Sequence, residues 1–212
     1  MHIPDGFLDP KTFGTAWVLG GTAVGFAVAK TKKHLGERQI PFMGVMAAFI
    51  FAAQMVNFPI AGGTSGHLLG AVLAAVMLGP WTASIIMATI LALQAFIFFD
   101  GGVTALGANI LNMAVIAPFA GYWTYQVLQR LLPGRVGTLV GTFAGSWVSV
   151  VMAALACAVE LAFSGMAPWG VVLPAMLSWH VLIGIGEGVI TTAIVSYVTQ
   201  VRPDLVYETA KA

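Results

Sequence analysis

Trp81-Thr-Ala-Ser-Ile-Ile-Met-Ala-Thr-Ile-Leu-Ala-Leu-Gln-Ala-Phe-Ile-Phe-Phe99 carries no charged side chain and is long enough to cross a bilayer as a helix. Gly79-Pro80 bounds it on one side and Asp100-Gly101-Gly102 on the other. The rest of the chain is written in the same style. Of 212 residues, 59% are hydrophobic and only 8% charged, with a mean hydropathy of +0.93. Soluble domains carry about 25% charged residues, so this composition reads as an integral membrane protein.

Six further apolar runs accompany it, so that the quoted stretch is the fourth of seven in chain order. They cover about residues 13–29, 40–57, 67–78, 108–128, 137–163 and 171–198. The expectation is an all-α, polytopic fold of about seven transmembrane helices in a single membrane domain, residues 1–212. The run at 67–78 is short for a crossing, since a helix rises only about 1.5 Å per residue. Lys30, Lys32, Lys33 and Arg38 follow the first run, Arg130 and Arg135 the fifth, and Arg202 and Lys211 the seventh. With seven spans these segments share one side, which the positive-inside rule makes cytoplasmic. The amino terminus is then outside, and residues 201–212 form a cytoplasmic tail. The first twelve residues contain Asp5, Asp9 and two prolines without a basic start, so they do not read as a cleavable signal. A net charge of +1 gives no case for nucleic acid.

Met1-His2-Ile3-Pro4-Asp5-Gly6 opens the chain with a histidine at position 2. A free amine, the amide nitrogen of residue 2 and Nδ1 of that histidine can close a five- and a six-membered ring on one metal. Deprotonating the amide is within reach of Ni²⁺ and Cu²⁺, whose tetragonal preference suits three nitrogens on a square. One corner stays open, and His67 in Gly62-Gly-Thr-Ser-Gly-His67 is the leading candidate to fill it. Residues 1–12 thus read as a metal-binding segment. Read alone, the hexapeptide also fits a polar residue near a frayed terminus. A ligand set of this kind sheds several protons, so affinity is expected to fall steeply from about pH 8 to pH 5.

The assigned topology gathers other polar residues in the outer half. Asn57 to His67 holds three glycines and a proline, irregular backbone of the sort tolerated at membrane depth beside a cavity. Asp100 reads as a loop acid or a ligand. Asn109 and Asn112 share a helix face and fit either hydrogen bonds behind the metal-bearing loops, as would Ser65, or bonds between helices. His180 and Glu187, on one face of the last span, fit buried cross-helix bonding or a proton relay. Gly21-x-x-x-Gly25 and Gly141-x-x-x-Gly145 read as packing signals. The Gly-x-x-x-x-Gly-Lys-Ser/Thr phosphate loop is absent, so the chain is not an ATPase. A metal/proton antiporter lacks the paired repeat with interrupted helices, and an intramembrane metalloenzyme lacks a His-Glu-x-x-His helix.

Three stretches together resemble the CbiM/NikM substrate-binding membrane components of energy-coupling factor transporters. These are Met1-His-Ile-Pro-Asp-Gly-Phe-Leu8, Asn57-Phe-Pro-Ile-Ala-Gly-Gly-Thr-Ser-Gly-His-Leu-Leu-Gly70 and Ala105-Leu-Gly-Ala-Asn-Ile-Leu-Asn-Met113. The resemblance implies an amino-terminal helix added to a six-helix core. It also implies Ni²⁺ or Co²⁺ held by Met1, His2 and His67. Its implied partners are a transmembrane coupling protein, two cytoplasmic ATPases and often a small accessory membrane subunit.

Overall fold

The computed structural model describes every residue except 34, 35, 38, 61–63 and 208–212, and only the backbone of 58–60, 64 and 65. Its helices are α1 (Pro10–Thr31), α2 (Gln39–Gln54), α3 (Ala71–Leu78), α4 (Pro80–Ile97), α5 (Leu106–Ile110), α6 (Ala117–Leu131), α7 (Gly134–Phe163) and α8 (Trp169–Val201). Between α2 and α3 lies a hairpin of β1 (Asn57–Ile60) and β2 (Thr64–His67), antiparallel with Asn57 opposite His67. Among the described residues α1, α4, α7 and α8 are long and apolar enough to cross a membrane, and α2 is a shorter apolar helix.

Local chemistry sets several boundaries. The Asp9 carboxylate accepts from the amides of Lys11 and Thr12, and Pro10 opens α1 where its missing N–H costs nothing. The irregular stretch ahead of α1 therefore ends at Asp9. A π-helical stretch, Leu111–Ile116, joins α5 to α6 with helical dihedrals at both junctions, making one rod. Pro118 cannot donate to the preceding turn, and a π insertion absorbs such a defect.

The expected third span resolves differently. His67 ends a strand, and only Ala71–Leu78 is helical, about 12 Å of rise. Every residue of α3 is buried, so its unbroken hydropathy reflects enclosure by protein on all sides. Gly70, at φ 76°, turns the strand into α3. The far end of α3 meets the carboxyl-terminal segment: the Tyr207 amide donates to the Val76 carbonyl, and the Tyr207 ring lies against Gly79.

Glycines bring the long helices together. Gly121 and Gly145 seat α6 against α7, while Gly184 and Gly188 admit Trp147 and Phe143 between α7 and α8. Gly141 meets the Tyr125 backbone, as its motif suggested. The Gly21-x-x-x-Gly25 reading needs correction. Neither glycine has a neighbour within 4 Å of where a Cβ would stand. Gly20 against the Gly107 carbonyl, and Gly107 against Trp17, dock α1 on α5 instead.

Candidate metal site

The amino-terminal segment is not frayed. Met1, His2 and Ile3 are all buried, at 0%, 4% and 0% exposure. Asn109 of α5 holds them in place: its Oδ1 accepts from the Ile3 N–H at 2.8 Å, and its Nδ2 donates to the Ile3 carbonyl at 3.1 Å. The Gly102 amide donates to the same carbonyl at 2.8 Å. Downstream, the Asp5 carboxylate accepts from the amides of Val103 and Thr104 and from the Thr104 hydroxyl. These bonds hold the Asp5 carboxyl below its ordinary range, the Thr104 hydroxyl foremost. A Cβ on Gly102 would stand 2.3 Å from the Asp5 nitrogen, so only glycine allows so close an approach.

That docking brings His2 to His67. Their ring centroids lie 4.7 Å apart with planes 30° from parallel. His2 Nε2 lies 3.0 Å from Gln94 Oε1 on α4, and His2 Nδ1 lies 3.5 Å from Asp100 Oδ1. Gln94 Nε2 donates to Gln54 Oε1, at the end of α2, and Gln54 Nε2 donates to the Leu69 carbonyl. His67 points Nδ1 at the Leu68 carbonyl, 2.8 Å away, and its Nε2 is buried without a hydrogen-bond partner. Such a buried nitrogen is costly unless something occupies it. Glu187 anchors the segment beyond His67, accepting from the amides of Leu69 and Gly70 at 2.7 and 2.6 Å.

Burial dominates the electrostatics. It pushes the Met1 amine down to about 5 and the His2 imidazole, beside that amine, down to about 3. His67 falls well below its ordinary value for the same reason. At neutral pH all three are uncharged nitrogen donors. The Asp100 carboxyl is pushed up by its partial burial, opposed by the nearby amine and by Asn57, which donates to Oδ2. Among the described residues no group of three His, Cys, Asp or Glu side chains could hold a metal. A square of nitrogens here has to draw on the main chain.

The family model for the cobalt uptake substrate-specific transmembrane region, CbiM, matches residues 2–205. The chain belongs to the CbiM family. A putative fused nickel transport protein, NikMN, of Archaeoglobus fulgidus is 39% identical to this CbiM-family chain, over 99% of it and 69% of the relative. A putative cobalt transport protein, CbiM, of Methanocaldococcus jannaschii is 30% identical, over 97% and 90%. A crystal structure of a truncated transition-metal transporter superposes with a TM-score of 0.86 at 38% identity, covering 94% of this chain and 99% of that one. Family membership and the apolar helices make the chain a multi-pass membrane protein of the nickel and cobalt transport group.

Within this CbiM-family fold, the structure brings Met1, His2 and His67 together, sets Asp100 beside His2, and sets Asn109 behind Ile3. Asn112 turns elsewhere, donating to Glu160 of α7 at 2.6 Å. The Ser65 side chain lies outside the described atoms. His180 bonds Nδ1 to the Met176 carbonyl of its own helix, while its Nε2 is buried without a hydrogen-bond partner. Its ring lies near enough to interact electrostatically with the Met1 amine and His67. Sequence reasoning missed Gln54 and Gln94. Their signal was an uncharged amide inside an apolar run, easily read as a bond between helices.

Proposed function

We propose that this chain is the substrate-binding membrane component of an energy-coupling factor importer for Ni²⁺, with Co²⁺ as the second ion. The ion enters from the outer side and is held by the Met1 amine, the His2 amide nitrogen, His2 Nδ1 and His67 Nε2. The ring separation carries this reading. At metal–nitrogen distances of about 2 Å, imidazoles on adjacent corners of a square have centroids about 4.5 Å apart, and on opposite corners about 6 Å. In the chelate the amide lies between the amine and Nδ1, so the fourth donor stands next to Nδ1. The observed 4.7 Å fits that neighbouring corner.

An anionic amide with three neutral nitrogens makes a strong planar field, which favours low-spin Ni²⁺. Relatives whose names specify nickel, at 39%, 37% and 35% identity, support the same preference over those named for cobalt, at 30% and 27%. Seven crossings place Met1 outside and Tyr207 at the cytoplasmic face, the strand end and α3 together making one discontinuous crossing. ATP hydrolysis falls to two separate cytoplasmic subunits, engaged through a transmembrane coupling protein. A small accessory membrane subunit completes the proposed assembly.

The test is Ni²⁺ uptake by cells expressing the chain with and without coupling protein and ATPases, paired with calorimetry on purified protein. Uptake should need the partners, binding should need none of them, and the loaded protein should be yellow and diamagnetic. Blocking the Met1 amine should abolish binding, whereas a carboxyl-terminal tag should not. Tight, unaltered binding by the blocked protein would sink the proposal.

A further inference from the structure

We infer that Gln54 and Gln94 form a one-way hydrogen-bond relay that holds His2 as its Nε2–H tautomer, so that Nδ1 is the nitrogen without the proton. The inference deepens the reading of His2 as a ligand and rests on it for its purpose, though not for its geometry. The relay starts at a group with no choice. The Leu69 carbonyl can only accept, so the Gln54 atom 2.7 Å from it must be the amide nitrogen. Gln54 then presents its oxygen to Gln94, which answers with its own amide nitrogen at 3.0 Å. That leaves the Gln94 oxygen facing His2 Nε2 at 3.0 Å, so Nε2 carries the hydrogen. In a neutral imidazole the other nitrogen keeps its lone pair. Asp100 Oδ1, the acceptor that would compete for the proton, lies 3.5 Å from Nδ1, outside the range of about 2.7–3.2 Å in which an N–H···O bond is strong.

Amide orientations are ordinarily open to reversal. Here reversal would set an amide oxygen against the Leu69 carbonyl. Gln54 and Gln94 are both 0% exposed, so no bulk water stands ready to repair that. Two consequences follow for metal binding. Nδ1 is the nitrogen that closes a six-membered ring with the residue's own amide, so the relay selects the tautomer the chelate needs. Coordination also makes Nε2–H a stronger donor, and a metal-ligating histidine gains from a fixed acceptor there. Because Leu69 lies two residues beyond His67, the relay also links the two ligand-bearing segments through α2 and α4. Gln54 and Gln94 are positioning residues that act through His2.

The test uses the full chain, metal-free, with ¹⁵N-labelled histidine. The His2 ring signals are assigned by their loss in His2→Ala. Wild type should show His2 as Nε2–H alone, and Gln94→Leu a mixture of tautomers. With Ni²⁺ as the probe, Gln94→Leu should bind about 10–100-fold more weakly, with Gln54→Leu between it and wild type. Since Gln54 reaches the His2 ring only through Gln94, the double variant should show the same tautomer mixture as Gln94→Leu. A purely structural role would instead show in the melting temperature and leave the tautomer unchanged. An Nδ1–H tautomer in wild type, or a further tautomer shift when Gln54→Leu is added to Gln94→Leu, overturns the relay. Tight Ni²⁺ binding indifferent to Gln94 also refutes it and leaves the metal site standing. A relay-dependent tautomer in a protein that binds no Ni²⁺ supports the relay and refutes the metal reading alone.

Discussion

Asn109 treats Ile3 as a neighbouring strand would, accepting from its N–H and donating to its C=O with one side-chain amide. Two backbone groups of a buried, irregular terminus are satisfied at once, where no regular ladder is available. Asn109→Leu should undock the terminus. The Ile3 carbonyl keeps the Gly102 amide, so one N–H is left unpaired at a cost of about 1–3 kcal/mol, and Ni²⁺ affinity should drop roughly ten- to a hundredfold. At saturation the absorption spectrum should be unchanged, because no ligand has been removed. Titration calorimetry with a saturated spectrum checks both.

Acid should act on the docked terminus in a defined window. The amine titrates near 8 and imidazole near 6.5 when unperturbed, against about 5 for Met1 and about 3 for His2 in the fold. Depressed values mean the folded state binds fewer protons. The metal-free terminus is then fully stabilised above about pH 8, and its docking weakens as pH falls through 8 to 5 and on toward 3. For metal binding the consequence differs from the expectation of several protons released between pH 8 and 5. Amine and imidazole are already neutral at pH 7, so the His2 amide supplies the proton displaced there. Calorimetry in buffers of different ionisation enthalpy should count about one proton per Ni²⁺ at pH 7. A count of two or more would show the amine still protonated when the ion arrives.

Glu187 should control the segment carrying His67. Glu187→Gln keeps one acceptor for the amides of Leu69 and Gly70 but turns an NH₂ toward the other, a mismatch of about 1–3 kcal/mol. Ni²⁺ should dissociate faster, by about tenfold, while helix content stays constant. Stopped-flow chelation and circular dichroism read the two quantities separately.

Close approach makes Gly102 and Gly14 a matched pair. Gly102→Ala places a methyl 2.3 Å from the Asp5 nitrogen, whereas Gly14→Ala meets nothing within 4 Å. The first should expel the amino-terminal segment and abolish high-affinity binding. The second should bind Ni²⁺ as wild type does and gain slightly in helix stability. Equal affinities in the two variants would show that this docking does not support the site.

Chain position and hydropathy are local properties, and what depended on them was readable in the sequence. The long apolar runs identified the membrane fold. A histidine at position 2 defined a possible chelate, because the rings it closes use consecutive atoms. The hairpin loop offered one imidazole in an irregular segment, and the structure brings His67 against His2. What tertiary structure decided depends on contacts between distant residues. α3 reads as a span by hydropathy, yet is a short helix enclosed by protein, because burial in protein and in lipid select the same side chains. Gly21 and Gly25 carry a packing motif whose contacts fell instead to Gly20 and Gly107, since a helix's rotation about its axis is set by its neighbours. Asn109 and Asn112 were equivalent candidates until one met Ile3 and the other Glu160. Gln54 and Gln94, 40 residues apart, acquire a direction only from the Leu69 carbonyl at the end of their chain. The protonation state of His2 is likewise a property of the folded molecule, because burial and a hydrogen-bond partner from another helix determine it.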